Sequence, residues 1–433
     1  MNQPQKAKEE FAKALAARPD DVVTLRVAAD FHLRVDDLTQ AENCLRRLIE
    51  GKGRSPAVVS WARSVLAVVL ASHADPRKSR EALVLVGLIE GAKAEDDAPG
   101  GSAQQERARA AVLALQPDPV QQQRAIAVLE RIEPKSVRTV SLKARLLAAR
   151  GKPAEAATML RHLAETQDAR TTLLIAQLLE ELSLGAEAEG LYRRAAGSGD
   201  IPDGVPILVR YLGRQKRTAE ALDASAPVWA TNPGVAAEVC LAALHAGRPD
   251  AAQIIRVEQW LKAAVRQTPG ATTLVLAQAD LADLKGDYPA AEALYRGVLQ
   301  KEPGNLVALN NLAGLLALRG GTGDEPVILA TRAVEVGGPI PELLDTRGVA
   351  LLAAGRALPA LDDFKQAAAR PVGDRKVRFA ILFHLAQAQH RAGNMGEARK
   401  AWKDAQETRA GVDDLHPLER KTYEQLTTEM GRP

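Results

Sequence analysis

Histidine and cysteine can ligate a metal or carry nucleophilic chemistry, and the chain has seven of the first and two of the second. His32, His73, His162, His245, His384, His390 and His416 are scattered along it. A helical metal site needs its imidazoles on one face, as the i, i+4 pair of HExxH has them. His384 and His390 stand six apart and fall on different faces of a helix. Packing or solvation is their expected role. Cys44 and Cys240 form no CxxC, no zinc spacing and no disulfide framework, which favours a reducing compartment. The glycines of GGTGDEP, Gly320 to Pro326, would suit a phosphate loop, but the Lys-Ser/Thr of one does not follow. No serine stands in a GxSxG elbow. The acidic pairs Asp362-Asp363 and Asp413-Asp414 read as solvated helix faces. No residue is assigned a catalytic, cofactor-binding or metal-ligating role. The expectation is a chain without enzymatic activity, cofactor or metal.

The elements that would position any such residues are helical. The chain has 433 residues, 46% hydrophobic and 26% charged, with only 3% aromatics. Ala and Leu dominate the apolar set, and both have high helix propensity. Strand-like β-branched or aromatic runs are missing. Net charge is +3 with acids and bases interspersed. The densest basic cluster, Arg214-Gln215-Lys216-Arg217, is too short for a nucleic-acid stripe, and no aromatics interleave with it. No nucleic-acid partner is expected. No apolar run reaches membrane-spanning length and no signal-like segment opens the chain, so no membrane insertion is expected either.

Self-similarity organises the rest. Gly286, Gly320, Gly355 and Gly393 follow one another at intervals of 34, 35 and 38 residues. Each closes an apolar-periodic helix where a left-handed residue is needed, a conformation that costs glycine no clash. After each comes a helix with a small residue at a close-approach position and, in three copies, a bulky one four further on: Ala291 and Tyr295, Ala360 and Phe364, Ala398 and Trp402. Val298, Ala367 and Ala405 complete the same face three residues later. The small residue lets two antiparallel helices approach, and the bulky one fills the gap to the next unit. Pro303 stops its helix.

This pattern resembles the tetratricopeptide repeat (TPR), a helix–turn–helix unit of about 34 residues. The resemblance implies an all-α fold, a right-handed TPR α-solenoid of about eleven helix pairs covering nearly the whole chain. The most regular repeats are 271–304, 306–340, 341–374 and 377–410; 22–54, 55–93, 102–133, 136–168, 169–201 and 202–269 are divergent. Residues 1–20 read as a second helix without its first, with Ala7, Phe11, Ala14 and Pro19 at signature positions. Residues 415–431 read as a capping helix, and Gly91 to Gln105 as an inter-repeat loop. On this reading the whole of 1–433 is one continuous solenoid, the C-terminal array of a larger bacterial TPR protein.

What the resemblance implies about function is a non-catalytic scaffold that holds a peptide or partner helix on the concave wall lined by the first helices. The alternative is a substrate-docking or envelope-assembly region of a larger protein whose N-terminal part, catalytic or exported, is missing. The candidate lining residues are Arg26, Asp30, Asn310, Asn311, Asp345, His384 and Gln387. The clamp with which some TPR proteins take chaperone C-terminal tails is not matched: Leu276, Asp280, Glu342 and Thr346 stand at its positions and only Asn311 fits. The asparagine ladder of other members also stops at Asn311, since Ala277, Thr346 and His384 break it. A cytoplasmic location is expected, or an envelope or periplasmic one if a longer N-terminus carries a signal.

Overall fold

The computed structural model describes residues 4–35, 37–73, 75–88, 103–133, 136–247, 249–320 and 323–431, and among them there are α-helices and short 3₁₀ turns but no strand. The chain divides into two compact units, Met1–Gly204 and Val205–Pro433.

The first unit contains α1 (Pro4–Ala17), α2 (Val22–Arg34), α3 (Leu38–Glu50), α4 (Pro56–Ala71), α5 (Pro76–Leu85), α6 (Ala103–Ala114), α7 (Pro119–Ile132), α8 (Val137–Ala149), α9 (Pro153–Glu165), α10 (Ala169–Glu181) and α11 (Gly185–Gly197). From α2 onward they pack as consecutive pairs: α2 with α3, α4 with α5, and so on to α10 with α11. The lone α1 lies on α2, where Phe11 meets Phe31 with ring centroids 4.7 Å apart. Short polar residues start the helices: Asp21, Ser55, Asp118, Ser136 and Asp168 each accept a backbone N–H of the first turn. Proline at the first helical position, as at Pro56, Pro119 and Pro153, gives up an N–H that has no partner there anyway. The loop expected over Gly91 to Gln105 is shorter than read, because Ala103 already opens α6. Its remaining residues, 91–102, lie outside the described residues.

The second unit contains α12 (Gly204–Arg214, whose first residue belongs to the first unit), α13 (Thr218–Thr231), α14 (Pro233–Ala246), α15 (Ala251–Gln267), α16 (Thr272–Leu284), α17 (Tyr288–Lys301), α18 (Leu306–Leu318), α19 (Glu325–Gly337), α20 (Pro341–Ala353), α21 (Ala357–Ala368), α22 (Arg375–Arg391), α23 (Met395–Glu407) and α24 (Arg420–Met430). From α14 to α22, each first helix packs on its own second helix. It also packs on the second helix before it and, for α14, α18 and α20, on the next first helix along. Ala279 and Ala291 are fully buried where α16 meets α17, with Tyr295 beside them. Gly286, Gly320, Gly355 and Gly393 all take φ between 73° and 78° at the turns. In α20 the backbone approach is closer still. Gly348 faces the ring of Phe364, and a Cβ there would come within 2.5 Å of it.

Two expectations are corrected here. Asp363 is not on a solvated face: it is buried and takes a two-pronged bond from Arg347 at 2.6 and 2.7 Å. A buried carboxylate is tolerable because a guanidinium satisfies both oxygens. The capping helix begins at Arg420 rather than Leu415. Before it, two 3₁₀ turns, Val412–Asp414 and Pro417–Glu419, carry the chain over the first-helix face.

Candidate functional site

The first helices of the second unit present a polar face whose charges are arranged in pairs. On α14, His245 bonds Asp280 of α16 at 2.9 Å. Loss of water around the ring pulls the His245 pKa down, but the Asp280 bond and charge, helped by Asp283, outweigh this and leave it raised. On α22, His384 is only 5% exposed. Its Nδ1 meets Asp345 of α20 at 2.8 Å, and its Nε2 meets Glu419 at 2.5 Å. Burial alone would depress this imidazole. The charges of Asp345 and Glu419 outweigh burial and push it up to about 10. Glu419 is held below its ordinary value, burial being overcome by the His384 charge and bond. Asp345 is the member that burial raises.

Glu419 belongs to a strap, Gly411 to Glu419, that follows α23. Arg409, at φ 60°, turns the chain back after that helix. Asp414 takes a 2.9 Å ion pair from Lys376 at the start of α22. His416 accepts the N–H of Leu418 at Nδ1, 3.2 Å away, which leaves its Nε2–H to donate to Asp283 of α16 at 3.3 Å. The ring of Tyr288 lies 5.9 Å from the same imidazole. Leu418 packs against the cluster of Tyr295, Leu312 and Leu315, and Leu415 is buried against Phe379, Phe383 and Trp402. Only Asp413 and Pro417 of the strap are exposed. Behind it α24 is docked by Tyr423, whose ring lies 5.3 Å from that of Trp402 and 5.9 Å from that of Phe383.

The sequence-predicted lining residues fall into three situations. Asp345 and His384 come together, but under Glu419 and not open to solvent. Asn311 is tied back to the preceding helix pair: it donates to the Tyr295 hydroxyl of α17 at 3.3 Å and accepts from Asn310 at 3.2 Å. Gln387 is half-buried one turn after His384. Arg26 and Asp30 are in the first unit, where the Arg26 guanidinium lies 4.5 Å over the Trp61 ring. In that unit the first helices α2, α4, α6 and α8 line a groove of 340 Å³ with a floor of Leu33, Val65, Val68, Ala108 and Ala111 and Arg138 at its edge.

His245, His416, Asp283, Lys376 and Glu419 were not singled out as site residues by the sequence reading. The spacing of histidines along the chain carries no trace of their meeting on one face. Chemically, the cluster is a charge clamp. Both ring nitrogens of His384 are taken by carboxylates, so neither is free to accept a substrate proton. Among the described residues no group of three or more His, Cys, Asp or Glu side chains could hold a metal ion.

The chain is a TPR-like helical repeat array. No family model matches it, and no curated protein is similar to it. Among solved structures, it is similar to a tetratricopeptide repeat protein from Parabacteroides merdae, with 15% identity over 56% of this chain and 96% of that one, at a TM-score of 0.40. It is similar to the Cut9–Hcn1 hetero-tetramer of the APC/C, with 13% identity over 97% and 86% of the two chains, at a TM-score of 0.42. A monomeric mutant of IFIT1 solved with Gppp-AAAA has 13% identity over 91% and 86%, at a TM-score of 0.45. These scores are low, and the repeat assignment rests on the packing of the helices themselves. Among the described residues no helix is long and apolar enough to cross a membrane.

Proposed function

We propose that the protein is a non-catalytic interaction scaffold that takes a peptide segment of a protein partner across the first-helix face of its repeats. One observation carries this reading: in the second unit that face already accommodates a peptide, the strap, through paired charges and a leucine. Rigid helix pairs are suited to the task because the lining side chains are positioned before the partner arrives, so less ordering cost falls on binding. A peptide is favoured over a nucleic acid by the lining itself. Asp280, Asp283 and Asp345 stand among His245, Lys376 and His384, a face of mixed sign that suits a peptide of mixed charge and offers no continuous basic stripe for a phosphate backbone.

The test is a displayed peptide library selected on the whole chain. The selected sequences are re-measured on Asp283→Lys and Gln387→Arg, which alter the first-helix face, and on Arg332→Glu of the second helix α19. Losses of about tenfold or more for the first two, with none for the third, are expected. Peptides that bind all the variants alike would refute the reading.

A further inference from the structure

The strap is built like a ligand. Two 3₁₀ turns fold it against the surface, with only Asp413 and Pro417 exposed and the side chains between and after them turned inward. Each inward polar group meets its opposite. Asp414 meets Lys376, the His416 N–H meets the Asp283 carboxylate, and Glu419 meets His384. Between the two carboxylates Leu418 enters an apolar patch of α16–α18. These contacts reach as far as α16, 133 residues away in sequence. Sealing the last repeat does not need these charge pairs or Leu418, because Tyr423 and Leu426 of α24, with Leu415, do that in the core formed with α22 and α23. A cap alone would leave the face of α16 to α22 open to solvent. The strap closes it.

We propose that residues 411–419 are a resident pseudo-ligand: they occupy the peptide site of the second unit, and a partner must displace them. The idea rests on the scaffold reading above and adds the chemistry of the partner. A displacing segment carries two carboxylates, one for Lys376 and one for His384, with a leucine or similar apolar residue between them. It also carries a hydrogen-bond donor for Asp283. Because the strap is tethered beside its site, it competes at a high effective concentration. Only a partner with closely matching chemistry, or one presented in several copies, opens the face.

The probe is a fluorescein-labelled peptide with the sequence of residues 410–420, AGVDDLHPLER. Its binding is followed by anisotropy on the full chain and on a strap variant with Asp414→Ala, His416→Ala, Leu418→Ser and Glu419→Ala. The variant keeps Tyr423 and Leu426, and circular dichroism checks its helicity. The expected result is binding at least about tenfold tighter to the variant than to the unaltered chain, abolished when Asp283→Lys is added. A probe with both aspartates and the glutamate replaced by lysine should fail on the variant; if it binds equally, the proposed partner chemistry is overturned. Equal binding of the original probe to both chains overturns the occlusion and leaves the scaffold reading standing. Binding to neither overturns both. If the variant loses its fold, hydrogen exchange on the unaltered chain decides instead. Amides of residues 412–419 that exchange as fast as exposed turns would sink the proposal, and slow exchange there supports it.

Discussion

Replacing Gly348 by alanine sets two effects of known size against each other. In the middle of a helix the change gains about 1 kcal/mol of propensity. At Gly348 the new methyl would stand 2.5 Å from Cε1 and 2.6 Å from Cζ of Phe364, about 1 Å inside ordinary carbon contact at ~3.5–4.0 Å. The ring cannot simply step aside. Phe364 is fully buried among Leu351, Leu361 and Ala388, and the imidazole of His384, pinned at both nitrogens, lies 5.7 Å from it. Overpacking of this kind costs about 1–3 kcal/mol. Gly297 in α17 supplies the control, since a Cβ there meets nothing within 4 Å. Gly297→Ala should therefore stabilise by about 0.5–1 kcal/mol. Both changes carry the same propensity gain, so their difference isolates the clash, about 1–3 kcal/mol. Urea unfolding followed by circular dichroism measures it. Adding Phe364→Leu to Gly348→Ala should recover part of the loss, a coupling that a double-mutant cycle reads directly. If Gly348→Ala stabilises as much as Gly297→Ala, α20 and α21 are not packed as closely as described.

Ser183 and Lys216 occupy the left-handed turn position at φ 62° and 61°, where the regular repeats have glycine. Ser183→Gly and Lys216→Gly should each stabilise by about 0.5–1 kcal/mol in the same unfolding assay, and a loss would refute the strain argument. The raised pKa of His384, about 10 against 6.5, gives stability that is fully present below pH 6.5 and is lost as pH rises through about 10. The stability gap between the natural chain and His384→Gln should accordingly shrink between pH ~7 and ~11, and a gap that does not change would refute the charged clamp. Burial pushes the thiols of Cys44 and Cys240 up, so neither should react with Ellman's reagent at neutral pH until denaturant is added.

The helix pairs were legible in the sequence because the forces that make them are local. Ala291, Tyr295 and Val298 fall on one face by spacing alone, and one face is all that a helix needs to find its partner across a short turn. The left-handed turns at Gly286, Gly320, Gly355 and Gly393 were legible for the same reason. The same turn was invisible at Ser183 and Lys216, where packing on either side imposes a conformation those residues do not favour. Asp363 looked solvent-facing because its partner Arg347 is on another helix. The candidate site shows the limit most plainly. Reading the first helices picked out Asp345 and His384, which the structure brings within 2.8 Å of each other. Whether the first-helix face is open was decided by residues far along the chain. His416 reaches Asp283 and Glu419 reaches His384 only because the repeats stack and the chain reverses at Arg409. Periodicity records which residues of one helix share a face. It holds no record of what distant segment comes to lie on that face, because this depends on the accumulated placement of several helix pairs and not on any local spacing.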